Sequence, residues 1–338
     1  MLLVVYASLY PLEGWRDHEL SPFAYLSSPW PRYVTAFDIG ANVLGYLLYG
    51  FLCTAALYPR LRGPAAFAVA VASGAALSLA LEAVQSYLPA RVATNLDVLC
   101  NVGGAAVGAA LALAMVRLRA SGPLRRLRAI FLPGVGTDIG LVLLALWLFT
   151  QLNPATLLFA AGDLRDLLAA GEGRARRPEF FVAIEAITAA ANIVSVGLLL
   201  SALVRPAQPV RVLFVALVAA ALAVKVAAFS ILMRAENVFL WLTPGAQQGL
   251  AAGVLVALAA MALPRVARLA LAAVLIMTAT VLVNLAPPNP YLAASLKVWQ
   301  QGHFLNFNGL TRVVSALWAF AALGYLIYLA ARHRDAAG

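Results

Sequence analysis

The sequence is poor in charge and in the residue patterns that bind metals or carry redox chemistry. Only 11% of its 338 residues are Asp, Glu, Lys or Arg, whereas a soluble globular domain carries about 25%. The hydrophobic fraction is 63% and the mean hydropathy is +0.89, values that exclude a soluble globule. Cys53 and Cys100 lie in separate apolar runs without CxxC or other metal-type spacing. We therefore predict an integral membrane protein with no metal site and no cofactor.

The formal net charge of +10 raises the question of a nucleic-acid partner. Its basic residues, however, form short clusters between apolar runs, which is the pattern that sets the orientation of a membrane protein. We therefore predict the lipid bilayer as a partner and no nucleic acid.

The apolar runs predict an all-α, polytopic transmembrane helix bundle of about ten membrane segments. A helix needs about 20 residues to cross about 30 Å of hydrocarbon. Nine runs are placed at 36–57, 65–87, 97–117, 137–152, 180–203, 210–232, 246–263, 267–286 and 310–331. Residues 1–10 are apolar but too short to span unaided. They lack a signal-peptide pattern, so we expect either a half-helix or the end of a helix that starts upstream.

The distribution of arginine predicts the orientation. If the N-terminus is cytoplasmic, the inner loops and the C-terminal tail hold most of the basic residues in short clusters, and the outer loops hold most of the acids. The positive-inside rule then predicts a multi-pass protein of the bacterial inner membrane with both termini in the cytoplasm.

A weak internal repeat predicts two domains. The segments 8–11 (SLYP) and 151–154 (QLNP) each end an apolar run, and the helix that follows opens similarly, with Asn42 aligned to Asn192. We read a four-helix unit followed by a degenerate repeat, and predict domains at 1–120 and 121–338. Most of the polar chemistry belongs to the first domain.

Three pairs of polar residues mark a candidate site in that first domain. Residues three or four apart on a helix share one face, and ionisable groups inside a bilayer are costly, so they are usually paired or used. All three pairs are predicted near the outer ends of consecutive helices. With an arginine of the connecting loop, the candidate ligand-binding residues are Asp38, Asn42, Glu82, Gln85, Arg91, Asp97 and Asn101.

Four interpretations of this set stay open. It is either a polar clamp that holds the helices in register, with Arg91 as the counter-ion of Glu82, or a site for a cationic or hydroxyl-rich envelope molecule. A divalent cation held by carboxylates and acid–base catalysis by paired carboxylates are the other two. No histidine or nucleophile lies nearby in the sequence, so whether the protein is an enzyme stays undecided. In the second domain, Glu185 and Lys225 form a candidate buried ion pair.

The spacing of these residues resembles a known family. The motifs D38xxxN42xxG45, E82xxQ85, R91 and D97xxxN101xxG104xxxG108 are similar to those of the VanZ-like membrane proteins, named for a protein linked to low-level teicoplanin resistance. The remainder of the chain looks like the longer proteobacterial members. The resemblance implies a role in the cell envelope or in antibiotic resistance, but it supplies no catalytic residue.

Two functional classes follow from the residues and the resemblance together. The first is a binding factor related to the envelope or to glycopeptide resistance, with an outward-facing site of acids and amides for a lipid-linked or glycan envelope molecule. The alternative is a membrane enzyme or transporter that acts on a lipid-linked envelope precursor.

Overall fold

The computed structural model describes residues 1–10, 12–17, 21–58, 60–118, 122–165, 177–233, 237–287, 289–290 and 305–335. These residues form eleven α-helices and no strand. The helices are α1 (Leu2–Leu9), α2 (Ala36–Leu57), α3 (Pro64–Gln85), α4 (Asn95–Leu118), α5 (Gly122–Ala129), α6 (Val135–Thr150), α7 (Pro178–Leu203), α8 (Val210–Leu232), α9 (Pro244–Ala260), α10 (Arg265–Leu285) and α11 (Leu305–Asp335).

A helix is found at each of the ten predicted places, so the prediction of a helical bundle is confirmed. Seven helices are long and apolar enough to cross a membrane, namely α2, α3, α4, α7, α8, α10 and α11. The apolar helices α6 and α9 are shorter, with 16 and 17 residues, and α1 has only 8. The short helix α5 was not predicted, because its residues carry the basic side chains of Arg125, Arg126 and Arg128 rather than an apolar run.

The chain forms two compact units. Unit 1 comprises Met1–Arg128 with Gly302–Leu310, and unit 2 comprises Ala129–Gln301 with Thr311–Gly338. The helix α11 therefore begins in unit 1 and continues in unit 2. The predicted domains 1–120 and 121–338 stay a prediction, because compactness alone does not show that either part folds or acts by itself.

In unit 1, helices α2 and α4 pack with their backbones in close approach. A methyl group added at Gly104 would overlap the carbonyl of Val43, and one added at Gly108 would overlap that of Leu47. Gly50 packs in the same way against Ala105. Small residues permit such contacts between membrane helices, and this packing sets the first turns of α2 and α4 beside each other.

Unit 2 repeats the arrangement with α7 and α9. Gly249 packs against Ala186, and Gly253, four residues later, packs against Ala190. If Gly249 is aligned with Gly104 and Gly253 with Gly108, then Ala186 is the equivalent of Val43. This register pairs Asn42 with Glu185 rather than with Asn192, which lies seven residues away.

The core of unit 2 includes large buried aromatic side chains. Trp147 is fully buried and stacks on Phe159 with ring centroids 5.3 Å apart. Trp318, also buried, donates from Nε1 to the carbonyl of Leu143 at 2.7 Å, which joins α11 to α6.

Candidate functional site

The predicted site residues of unit 1 lie at the end of the unit where α2 and α4 begin and α3 ends. Asp38, in the first turn of α2, forms a capping box with Thr35. Its amide donates to Thr35 Oγ1 at 3.1 Å, and its Oδ2 accepts from the amide and the hydroxyl of Thr35 at 3.2 and 2.6 Å. Such a box satisfies amides that the start of a helix leaves without partners. Asp38 is therefore held in place by its own helix.

Asp97 joins α2 to α4. Its Oδ1 accepts from Asn42 Nδ2 at 2.6 Å, and its Oδ2 accepts from the hydroxyl of Thr94 at 2.8 Å. The amide of Asp97 donates back to Thr94 Oγ1 at 3.0 Å, so Thr94 caps the start of α4. The predicted convergence of Asn42 and Asp97 is thus present as a direct hydrogen bond.

Glu82 connects α3 to the same group of residues. Its side chain is only 4% exposed, and its Oε2 accepts from the backbone amide of Thr94 at 3.0 Å. The carboxylate also interacts electrostatically with Asp97, which repels it, and with Arg91, which attracts it. Asp97 in turn interacts with Asp38. We call Asp38, Asn42, Glu82, Thr94 and Asp97 the acidic cluster.

Gln85 and Arg91 use their hydrogen bonds elsewhere. Gln85 Nε2 donates to the carbonyl of Ser8 at 2.8 Å, and Arg91 Nη2 donates to the carbonyls of Ala7 at 3.3 Å and Tyr10 at 3.0 Å. The last carbonyls of a helix have no partner within it, so these two side chains fasten the end of α1 to α3 and to the loop that follows.

The charge of Arg91 nevertheless interacts with carboxyl groups of the acidic cluster. Burial lowers its pKa to about 10, and this shift is opposed by the attraction of Glu82 and Asp97. Arg91 was predicted as the direct counter-ion of Glu82. Within the described residues, the two interact through their charges, while the hydrogen bonds of the guanidinium go to α1.

Asn101 lies one turn deeper than Asp97 and outside the acidic cluster. It is 4% exposed and donates from Nδ2 to Ser78 Oγ at 2.9 Å, which ties α4 to the middle of α3. Its Oδ1 is buried without a hydrogen-bond partner. The structure thus brings together Asp38, Asn42, Glu82 and Asp97, and sets Gln85, Arg91 and Asn101 around them.

Sequence reasoning missed the residue that connects the cluster, Thr94. The signal was available, because T35xxD38 and T94xxD97 both have the Ser/Thr-x-x-acid spacing that marks the start of a helix. The bond from the amide of Thr94 to Glu82 had no such signal, since a backbone donor leaves no trace in the sequence.

The segment between α1 and α2 is attached to the same end of the unit. Tyr25, which is 5% exposed, donates its hydroxyl to the carbonyl of Leu79 at 3.1 Å. Burial and the charge of Glu82 both raise the pKa of this phenol. Asn95 Nδ2 donates to the carbonyl of Ser28 at 2.7 Å. The acidic cluster therefore lies between three helix ends and a covering segment of chain.

Unit 2 holds a buried ionisable pair, Glu185 on α7 and Lys225 on α8. Lys225, which is 0% exposed, donates from Nζ to the carbonyls of Asn153 at 2.7 Å and Thr156 at 3.2 Å. Its charge also interacts with that of Glu185, which is 6% exposed. The predicted pair is thus electrostatic, with the ammonium bonded to backbone carbonyls rather than to the carboxylate.

A divalent cation has weak support in this geometry. Among the residues that the structure describes, no group of three His, Cys, Asp or Glu side chains is arranged to hold a metal ion. Oδ2 of Asp38 accepts from Thr35, and both carboxylate oxygens of Asp97 accept hydrogen bonds, from Asn42 and Thr94.

The comparison with known proteins concerns the same part of the chain. No curated protein matches it, and no solved structure does. Residues 1–117 match the family model described as VanZ/LLP1, a stretch that holds α1 to α4 with all seven predicted site residues. The predicted resemblance is thereby confirmed over this stretch, which is similar to the VanZ/LLP1 family.

Proposed function

We propose that unit 1 is a binding module of the bacterial cell envelope, in which the acidic cluster binds a ligand that presents ammonium or hydroxyl groups. The observation that carries the proposal is that, within the described residues, Arg91 makes its hydrogen bonds to the end of α1 and not to the acidic cluster. The carboxyl groups of Glu82 and Asp97 interact with the guanidinium through their charges.

Charge favours a ligand of this chemistry. Asp38, Glu82 and Asp97 bring three carboxyl groups together beside one guanidinium, at a depth where uncompensated charge is costly. Hydrogen-bond donors or a cation from a ligand would offset that cost. We place the site on the outer face of the inner membrane, because the positive-inside rule puts the ends of α2 to α4 that carry it outside.

The envelope supplies ligands of the required kind. Lipid-linked and glycan precursors carry many hydroxyl groups, and some carry amines, at the depth of a helix end. A protein that binds such a molecule, or a glycopeptide directed against it, fits the role that the resemblance to VanZ-like proteins implies. The alternative, an enzyme or transporter for a lipid-linked precursor, uses the same carboxylates.

Native mass spectrometry of the full chain, extracted from bacterial membranes, tests the proposal. We expect a bound envelope molecule in the wild type, and we expect its loss in Glu82→Gln and Asp97→Asn, which keep the shape of each side chain while removing its charge. Glu179→Gln is the matched control, because Glu179 is an exposed acid at the first turn of α7 in unit 2.

The results separate the interpretations. Equal occupancy in all four proteins would contradict a binding role for the cluster. A polar clamp predicts that Glu82→Gln is tolerated and that only Glu82→Ala lowers the yield of folded protein. An enzyme predicts that Glu82→Gln retains the ligand but no longer converts it.

A further inference from the structure

A cavity of unit 2 lies at the end of the unit where α6 and α10 begin and α11 ends. Its volume is about 320 Å³, and its lining includes Gly136, Arg265, Tyr328 and Arg332. Ligand sites in proteins typically start at about 300 Å³. None of the described residues that line it is Asp or Glu. Asp138, in the same turn of α6, is exposed and does not line it.

Arg265 is the unexplained residue of this cavity. It makes no hydrogen bond or ion pair within the described part of the chain, and its Nε is buried without a partner. Its charge also interacts with that of Arg268, which bonds to Ser201 through Nη1. A partly buried guanidinium beside a like charge is costly unless an anion compensates it.

Arg332 also lines the cavity. Its Nη1 donates to the hydroxyl of Tyr328 at 3.0 Å, and its guanidinium lies over the ring of the same tyrosine, 5.7 Å from the centroid. Among the residues that the structure describes, this is the one hydrogen bond of the guanidinium, which leaves its other N–H groups for a ligand. Gly136 lies close to both residues, since an added Cβ would be 3.5 Å from Tyr328 Cε1 and 4.0 Å from Arg332 Nη1.

The start of α6 also lines the cavity, through Gly134, Gly136 and Thr137, and adds to its positive potential. Gly134 precedes the helix with φ +118°, a conformation that favours glycine, and it offers no side chain as a cap. The amides of Thr137 and Asp138 are taken by the carbonyl of Gly134. Those of the first helical residues, Val135 and Gly136, remain available for an acceptor.

We propose that this cavity binds the phosphate group of an anionic ligand through Arg265, Arg332 and the first amides of α6. The planar guanidinium group of arginine matches phosphate oxygens in hydrogen-bond geometry and in charge. The cavity lies at the ends of membrane-length helices, where lipid phosphates are found, and Leu132 and Leu329 line it as apolar walls. Basic pockets between membrane helices recognise lipid headgroups in this way. The proposal concerns unit 2 and does not depend on the function proposed for unit 1.

The test uses the purified, delipidated full chain in detergent micelles. Binding is measured by native mass spectrometry with a phosphatidylglycerol, with a diacylglycerol of the same acyl chains but no phosphate, and with inorganic phosphate. We expect phosphatidylglycerol to bind at one site and diacylglycerol not to bind. Competition by inorganic phosphate would show that a free phosphate suffices, and its absence would identify the ligand as a lipid headgroup.

Three variants test the residues. Arg265→Gln and Arg332→Gln each remove charge-assisted hydrogen bonds, so we expect binding of phosphatidylglycerol to weaken by about tenfold or more. Arg332 is exposed, so its substitution leaves a folded protein even if that of Arg265 does not. Arg211→Gln, an exposed arginine at the start of α8, is the matched control and should bind as the wild type does. Wild-type affinity in Arg332→Gln, or equal binding of diacylglycerol, would overturn the proposal.

Discussion

At the residue scale, Thr94 makes three hydrogen bonds, which together join the end of α3 to the start of α4. Its amide reaches Glu82, its hydroxyl donates to Asp97, and its Oγ1 accepts from the amide of Asp97. Two of these bonds need the side chain and one needs only the backbone. Substitution can therefore separate the capping of α4 from the anchoring of Glu82.

We expect Thr94→Ala to destabilise the protein by about 1 kcal/mol, the usual loss when a capping hydroxyl is removed. Thr94→Ser keeps the hydroxyl and should be close to the wild type. Thermal unfolding in detergent, followed by circular dichroism, measures both. If alanine and serine lowered the midpoint equally, the methyl group and not the cap would be the stabilising part of Thr94.

Other residues of the site show why the chemistry was only partly predictable. Spacing placed Asp97 and Asn42 on the correct helix faces, because helical periodicity is a property of the sequence. Gln85 and Arg91 were assigned to the same pocket, but they bond to the carbonyls of α1. Backbone acceptors carry no side-chain signature, so no motif could have revealed that partner.

At the element scale, the contact of α2 with α4 depends on two glycines of α4. The carbonyls of Val43 and Leu47 occupy the places where side chains of residues 104 and 108 would begin. Backbone cannot move aside as a flexible side chain can, so the helices must separate if either glycine gains a side chain.

We expect Gly104→Ala to destabilise unit 1 by about 1–3 kcal/mol, the cost of overpacking a close contact. Gly103→Ala is the matched control on the same helix, since a methyl group there meets no atom within 4 Å. Alanine also favours helix over glycine, so the control should be neutral or slightly stabilising. Unfolding in detergent compares them, and equal midpoints would contradict the close approach of α2 and α4.

The helices themselves were predictable in position but not in register. The run predicted at 36–57 is α2, and the run predicted at 210–232 is α8, because the length and hydropathy of an apolar segment determine both. Runs of alanine and leucine match one another in many alignment registers, and the repeat was predicted with Asn42 aligned to Asn192. Only the contact of Gly249 with Ala186 selects the register that pairs Asn42 with Glu185.

At the scale of the whole molecule, each unit has one helix pair packed through glycines and one set of ionisable groups at the same end of that pair. Unit 1 has Glu82 on its intervening helix α3, and unit 2 has Lys225 on α8. The degenerate repeat stays a prediction, and the buried charge of unit 2, Lys225 on α8, interacts with Glu185 on α7.

The positions of the helices do not determine how the whole chain is oriented in the membrane, so the predicted orientation needs its own test. If all ten predicted segments cross the membrane, both termini lie on one side, and the arginine clusters predict that this side is the cytoplasm. The loop between α3 and α4 then lies outside, and the loop between α7 and α8 lies inside. Val92, which is 81% exposed, and Ala207, also exposed, are suitable reporters of these two loops.

We expect Val92→Cys to react with a membrane-impermeant maleimide in intact spheroplasts, and Ala207→Cys to react only after the membrane is permeabilised. The background for both is a chain in which Cys53 and Cys100, the half-buried native thiols, are replaced by alanine. Arg205 and Arg211 flank Ala207, so moving that loop outward would carry their charges across the bilayer, against the positive-inside preference. The reverse labelling pattern would place the acidic cluster on the cytoplasmic face, and the envelope ligand proposed for it would then be out of reach.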